Sequence, residues 1–213
     1  SSSDGPGVAD VEPRLRAVPG PNGKGTRVVG TARAWVRRWD NAFFAGLTGG
    51  LPRLETNLER GTDGIVRFNG MQLYSPKLRL AGEGYRNPDG TFHITARGRQ
   101  ATYGPLRMIL DGPIERPRVD LFLERPNDTL GLRDVRLLLQ PTAAGFDYRS
   151  NGQSHLGPFT SSGRILLPKG GGTVISIAAL DVGGTHASGD LRSDPGGFTG
   201  SLALAGGGLD GSL

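Results

Sequence analysis

Between residues 77 and 140 the chain repeats one pattern, which first reads Lys77-Leu78-Arg79-Leu80-Ala81-Gly82-Glu83-Gly84. The same alternation of apolar and polar residues recurs in three later segments, Thr91–Gly98, Arg118–Glu124 and Arg133–Gln140. A period of two is that of a β-strand with one apolar and one polar face. Turn sequences such as Asn87-Pro88-Asp89-Gly90 separate the segments. The stretch therefore predicts successive strands that share one apolar face.

Strand and turn signals continue from Gly64 to the end of the sequence. They come about every 8 to 12 residues, a spacing typical of all-β proteins. The connections are short enough for hairpins, and no segment is long enough for a parallel crossover, so we expect an antiparallel meander. Near its end the pattern predicts separate strands over Ser154–Ser162 and Gly163–Leu167. Tyr103-Gly104-Pro105-Leu106 returns as Leu156-Gly157-Pro158-Phe159, which is typical of stacked repeats.

The chain divides into three predicted segments. Residues 1–30 are rich in Gly, Pro and Ser, and they predict a poorly specified segment with room for one edge strand. Residues 31–60 predict a short amphipathic helical insert near the N-terminus. Residues 61–213 predict the repetitive antiparallel β-region.

The helical insert is predicted from aromatic spacing. Trp35, Trp39, Phe43 and Leu47 recur every four residues, and a second short helix is expected over Pro52–Arg60. Tryptophans beside arginines suit a helix that lies at a membrane interface or caps an apolar groove. The same pattern also suits a helix that packs on the sheet and completes its core.

The composition excludes several classes of protein. The net charge is +5, but the arginines are scattered among Asp and Glu and no base-stacking aromatic motif accompanies them, so no nucleic-acid binding is predicted. The absence of cysteine excludes disulfides and thiolate metal sites. No apolar run reaches the roughly 20 residues of a transmembrane helix.

No catalytic chemistry is readable from the sequence. His93, His155 and His186 lie far apart and have no metal-ligand spacing. No Gly-x-Ser-x-Gly nucleophile elbow is present. We therefore predict no catalytic residue, no metal and no cofactor, and expect a protein that is not an enzyme.

Several runs carry a resemblance to a known family. The first two are Gly104-Pro105-Leu106 and the succession of Leu110-Asp111-Gly112-Pro113-Ile114 and Pro117-Arg118-Val119-Asp120-Leu121. The other two are Leu130-Gly131-Leu132-Arg133-Asp134-Val135 and Gly183-Gly184-Thr185-His186-Ala187-Ser188-Gly189-Asp190-Leu191. With the Ala-Gly-Gly-Gly unit near the end, residues 61–213 resemble the repetitive β-region of the TamB and YdbH type of AsmA-like envelope proteins of Gram-negative bacteria.

The resemblance implies a fold, a place and a function. Members of this family fold into an elongated, curled β-sheet, a taco-shaped groove lined with apolar side chains. They are anchored in the inner membrane, span the periplasm and move phospholipids to the outer membrane, and TamB also partners an outer-membrane barrel protein. The expected role is therefore a periplasmic piece of such a groove, whose parent protein is anchored through a region outside this segment.

The predicted lining of the groove is the shared apolar face. It comprises Leu78, Leu80, Phe92, Ile94, Val119, Leu121, Leu123, Val135, Leu137, Leu139, Phe146, Tyr148, Ile175, Ile177, Phe198, Leu202 and Leu204. The cap of the groove, or its membrane contact, would comprise Trp35, Trp39, Phe43 and Leu47.

Three alternatives remain open for the same residues. They could form the dry core of an ordinary β-sandwich or closed barrel with a purely structural role. Open sheet edges could instead pair with strands of an outer-membrane protein and assist its assembly. A carbohydrate-binding or surface-binding β-domain is the third alternative, and the low aromatic content of 7% disfavours it.

Overall fold

A computed structural model of the chain describes residues 7–39, 42–169, 171–194, 197–206 and 211–212, of which side chains are described except at 7, 8, 39, 42–44, 194, 197, 211 and 212. The described residues form fifteen strands and one α-helix, α1, at Ala42–Thr48. The strands are β1 Gly7–Pro19, β2 Thr26–Trp39, β3 Arg53–Arg60, β4 Val66–Tyr74, β5 Leu78–Arg86, β6 Phe92–Gln100, β7 Gly104–Gly112, β8 Arg118–Leu123, β9 Arg133–Thr142, β10 Gly145–Ser154, β11 Gly157–Leu166, β12 Val174–Val182, β13 Thr185–Asp194, β14 Gly197–Gly206 and β15 Gly211–Ser212.

All the strands belong to one antiparallel sheet whose order follows the chain from β1 to β15. Each strand pairs with the strand before it and the strand after it, and β1 does not pair with β15 in the described part of the chain. The expected all-β meander is confirmed. The sheet is open, because its first and last strands remain its edges.

The strand register carries one face unbroken through the sheet. Leu80 lies opposite Gly98, Gly98 opposite Leu106, Leu106 opposite Leu123, and Leu123 opposite Val135. Directly opposed residues point to the same side of a sheet, so this row lies on one face from β5 to β9. We call this the apolar face, and the opposite side the polar face.

Bulges interrupt the ladder without exchanging the two faces. Ser162 opposes Ala179, whereas Gly163 opposes Ile177, so Ala178 is the extra residue of a bulge between β11 and β12. The predicted division into two strands before and after Ser162 is wrong, because β11 runs continuously through Gly163. Bulges bend the strand that carries them and increase the local twist, which favours a curled sheet.

Glycine is required where neighbouring strands approach closely on the apolar face. A Cβ at Gly98 would overlap the carbonyl oxygen of Arg79, and one at Gly163 would overlap the carbonyl oxygen of Ser176. Only a residue without a side chain fits at such positions. Gly163 is therefore a residue of close strand contact, although its sequence context reads as a turn.

The short helix predicted near the N-terminus is confirmed, but the predicted extent of the insert, residues 31–60, is wrong. Residues 31–39 belong to β2, residues 53–60 form β3, and the helix is limited to α1. A four-residue spacing is two strand periods, so Trp35 and Trp39 suit a strand as well as a helix. In β3, Leu54 and Leu58 are also four residues apart, and their pairing with Leu73 and Phe68 of β4 places both on the apolar face of a strand. Residues 7–30 also join the sheet, through β1 and β2, and residues 1–6 lie outside the described part.

The chain exposes more surface than a compact protein of its size. Its accessible surface is 13010 Å², whereas a compact monomer of 22.4 kDa exposes about 9,400 Å². Elements in extensive contact are all consecutive in the described chain, so no second sheet packs on the first. The expected alternative of a β-sandwich core is not the arrangement of this sheet.

Candidate functional site

The apolar face brings the predicted lining residues together. The pairing places all of them on one side of the sheet: Leu78, Leu80, Phe92, Ile94, Val119, Leu121, Leu123, Val135, Leu137, Leu139, Phe146, Tyr148, Ile175, Ile177, Phe198, Leu202 and Leu204. The face also continues through N-terminal strands that were expected to be helical. Leu54 and Leu58 of β3 oppose Leu73 and Phe68 of β4.

Most side chains on this face are only half-buried. Ile94, Leu106, Val135 and Tyr148 are 7–8% exposed, and they are the best buried large apolar residues of the described chain. Phe198, near the C-terminal edge, is 37% exposed. The core is therefore one layer of side chains supported by the sheet beneath them, and its outer surface remains accessible.

One polar group is built into the apolar face. The Tyr148 hydroxyl lies 2.8 Å from the Ser161 hydroxyl on the neighbouring strand. Burial raises the pKa of the Tyr148 phenol, and the hydrogen bond with Ser161 opposes part of that rise. The phenol therefore stays neutral at physiological pH, and its oxygen is hydrogen-bonded beside Ser150 and Ser161, which lie on the same face.

The predicted cap is not assembled as expected. Trp35 opposes Arg53 on the polar face, and the Arg37 guanidinium lies 5.8 Å from its ring centroid. The side chains of Trp39 and Phe43 lie outside the described part of the chain. Leu47 lies in α1, and its carbonyl oxygen accepts a hydrogen bond of 3.1 Å from Nε2 of Gln100.

Gln100 attaches α1 to one end of the sheet. Its side chain is 4% exposed, and its Oε1 accepts hydrogen bonds from the backbone N–H groups of Thr102 and Tyr103. The N–H of Lys77 donates to the carbonyl oxygen of Thr48, at the end of the helix. The helix is thus held where β5 begins and β6 ends, and Trp35 takes no part in this contact.

The polar face carries many ion pairs between neighbouring strands. Arg27 lies 2.9 Å from Glu59, and Arg37 lies 2.7 Å from Asp10. These pairs are at least one-third exposed, so each contributes at most about 1 kcal/mol. Their role is to balance charge on the solvated side.

A cavity lies on the polar face. It occupies about 780 Å³ across strands β5 to β10, a volume within the range of small-molecule sites, about 300–1,000 Å³. Its lining includes Arg97, Arg107, Arg136 and Arg149 together with Ile109, Phe122 and Leu138. Leu121 and Leu137 also border it, although their side chains point to the apolar face. We call it the arginine cavity.

The sequence reasoning missed the arginine cavity, although it contained a signal. Ile109, Phe122 and Leu138 are apolar residues at polar-face positions of three successive strands. Each breaks the alternation of its own strand. Three such breaks on neighbouring strands indicate an apolar patch on the side that was read as uniformly solvated.

The histidines lie on strands and loops and form no shared site. Nδ1 of His93 lies 2.5 Å from Oδ1 of Asp111, and His186 contacts Asp181. No group of three or more His, Cys, Asp or Glu side chains is arranged to hold a metal ion within the described residues. Among the described residues, no helix combines the length and the apolar character that a membrane crossing requires.

Comparison with known proteins adds no relative. No protein-family model matches the chain, and no curated protein and no solved structure is significantly similar to it. The two faces of the sheet are therefore the features from which a function is inferred.

Proposed function

We propose that the apolar face holds the acyl chains of phospholipids, and that the chain is a segment of a lipid-transfer protein of the cell envelope. The observation that carries the proposal is the continuous apolar face, which crosses the sheet without a second layer on it. A structural core of this kind is normally covered. An acyl chain is an apolar ligand that needs no charged or catalytic partner.

The dimensions and the energetics suit this ligand. Strands about 4.8 Å apart make a sheet of fifteen strands about 65 Å long. Burial of one methylene group contributes about 0.8 kcal/mol. An acyl chain of about twelve methylenes, half-buried on the face, therefore gains about 5 kcal/mol. This is enough for retention and weak enough for movement along the sheet.

The place and the partners follow from the family resemblance of residues 61–213. A periplasmic segment, attached to the inner membrane through a region outside this sequence, would carry phospholipid between the two membranes. An outer-membrane barrel protein is the macromolecular partner that the resemblance implies. The open sheet with many short hairpins supports this proposal, since it suits a groove of repeated units.

The experiment is lipid extraction from the detergent-free protein, followed by mass spectrometry. We compare the wild type with Leu80→Arg/Leu139→Arg, in which both arginines enter the apolar face at half-buried positions. The matched control, Thr160→Arg/Ser201→Arg, adds the same charge at exposed positions of the polar face. Circular dichroism checks that each variant keeps its β-structure.

The expected result is co-purified phospholipid on the wild type and the control, and its loss from the apolar-face variant. A lipid-free wild type would overturn the proposal. It would favour a second candidate function, a scaffold for the assembly of outer-membrane proteins. The outer edge of β1 supports this candidate, because it is unpaired within the described chain and nearly all described residues of β1 are exposed. Such an edge is suited to pairing with a client strand.

A further inference from the structure

Two pairs of like charges face each other on the polar face. Arg79 lies directly opposite Arg99, and Arg97 lies directly opposite Arg107. Opposed like charges destabilise a sheet. None of these four arginines has an ion-pair partner within the described residues, unlike Arg27 and the other paired arginines of the same face.

The arginine cavity concentrates this uncompensated charge. Arg97, Arg107, Phe122 and Arg136 form one row across four strands, in direct register. The guanidinium carbons of Arg107 and Arg136 lie 4.6 and 5.5 Å from the centroid of the Phe122 ring. Such cation–π contacts orient the guanidinium groups without neutralising them.

The next row supplies apolar surface. Ile109 and Leu138 lie on either side of Asp120 in this row, and Ile109 is 38% exposed. Asp120 lies 3.8 Å from the guanidinium of Arg118, which compensates part of its charge. Glu83 is the other carboxylate in the lining, so four arginines face two acidic groups. The cavity therefore has a net charge of +2 and an apolar side.

We propose that the arginine cavity binds an anionic amphiphile through a phosphate group, with the phosphate over the row of Arg97, Arg107 and Arg136. Guanidinium groups recognise phosphate oxygens in pairs of hydrogen bonds. A phosphate monoester carries up to two negative charges, which match the excess of the lining. The apolar portion of the ligand lies over Ile109 and Leu138.

This site is separate from the proposed acyl-chain surface, because it lies on the opposite side of the sheet. Arginines without a counter-charge lower the stability of the sheet. Residues that reduce stability in this way are typical of binding surfaces, where they serve a ligand. The bound phosphate supplies the counter-charge that the apo sheet lacks.

The test is calorimetric titration with two probes, monomeric dihexanoyl phosphatidic acid and inorganic phosphate. Arg97→Gln/Arg149→Gln removes two cavity charges and leaves both contacts with Phe122 intact. The matched control, Arg33→Gln/Arg164→Gln, removes the same charge from exposed, ion-paired positions outside the cavity. A further variant, Leu80→Arg/Leu139→Arg, alters the apolar face alone.

The cavity variant is expected to bind phosphatidic acid about ten- to a hundredfold more weakly than the wild type, whereas the control binds within about twofold of it. Since one opposed arginine pair is gone, the cavity variant is also expected to melt about 1–4 °C higher. The apolar-face variant is expected to keep its affinity, and inorganic phosphate is expected to bind more weakly than the lipid.

Several results would overturn the proposal. Equal weakening in the cavity variant and the control would mean that only the general charge attracts the anion. Loss of binding in the apolar-face variant alone would move the lipid to the other side of the sheet. Equal affinity for phosphatidic acid and inorganic phosphate would mean that the cavity binds phosphate alone and that the apolar part of the ligand contributes nothing. No binding of either probe would remove the site.

Discussion

Gly98→Ala tests whether glycine sets the close approach of strands on the apolar face. Gly98 lies opposite Leu80 in β5, and a Cβ there would overlap the carbonyl oxygen of Arg79 and lie 2.9 Å from the Cα of Leu80. Both neighbours are backbone atoms, so no side-chain rotation relieves the overlap. The two strands must separate locally, and the curl of the sheet must change there.

The expected loss of stability follows from the backbone hydrogen bonds between β5 and β6 beside Gly98. We expect the separation to break about two backbone hydrogen bonds between β5 and β6, at about 1 kcal/mol each. The free energy of unfolding should therefore fall by about 2 kcal/mol, and the melting temperature by about 4–8 °C for a chain of this length. The lipid that co-purifies with the protein should decrease in parallel if strand curvature shapes the apolar face.

The assay is urea unfolding followed by circular dichroism, with Gly46→Ala as the matched control. Gly46 lies in α1, where an added Cβ meets no atom within 4 Å. Alanine is a better helix former than glycine, so the control should be at least as stable as the wild type. Equal stability of Gly98→Ala and Gly46→Ala would refute the inference that backbone overlap makes glycine obligatory in β6.

Two titrations test local electrostatics. Because burial raises the pKa of Tyr148, its phenol should ionise above the ordinary tyrosine pKa of about 10, and Tyr148→Phe should remove that late step of the absorbance titration; stability should fall as pH rises above about 10. A Tyr148 that ionises at or below about pH 10 would contradict this. The hydrogen bond from the Arg67 side chain, followed by that from the backbone N–H of Ile65, lowers the pKa of Asp63, so its contribution to stability should be lost as pH falls through that lowered pKa. In Arg67→Gln the Asp63 carboxyl should titrate at higher pH by NMR, and an unchanged pKa would assign the effect to the backbone alone.

The alternation of apolar and polar residues within each strand made the sheet and its two faces predictable. Leu80 and Leu139 are four strands apart, yet a period of two within each strand was sufficient to place them on the same face. The bulge between β11 and β12 did not exchange the faces, because Ile175 and Leu180 both remain on the apolar side. Ile175 and Leu180 are five residues apart, so without the extra residue Ala178 they would lie on opposite faces.

The N-terminal region shows where periodicity fails. Trp35 and Trp39 are separated by four residues, and that spacing suits both a strand and a helix. The alternation of small residues decides the question, because Val28, Gly30, Ala32 and Ala34 all oppose residues of β3 on the apolar face. Small side chains give a weak hydrophobic signal, so the bulky tryptophans dominated the prediction.

The arginine cavity depends on register, which no single strand specifies. That Arg97 faces Arg107, and that Phe122 lies between Arg107 and Arg136, follows only from the pairing of β6 through β9. Turn lengths limit the register, but the turn between β8 and β9 contains its own bridge between Asn127 and Leu132 and is too long for a simple rule. The excess of arginine was visible in the sequence, and its clustering was not.

An apolar face and a charged cavity on opposite sides of one sheet are geometrically compatible. A twisted sheet has the shape of a saddle, so each of its faces is concave along one diagonal and convex along the other. Gly98 and Gly163 allow neighbouring strands to approach closely on the apolar face. The cavity around Phe122 lies on the polar face of the same strands. A single curled sheet can therefore offer an apolar surface to acyl chains and a basic cavity to a phosphate group, and variants on either face should affect one binding activity without the other.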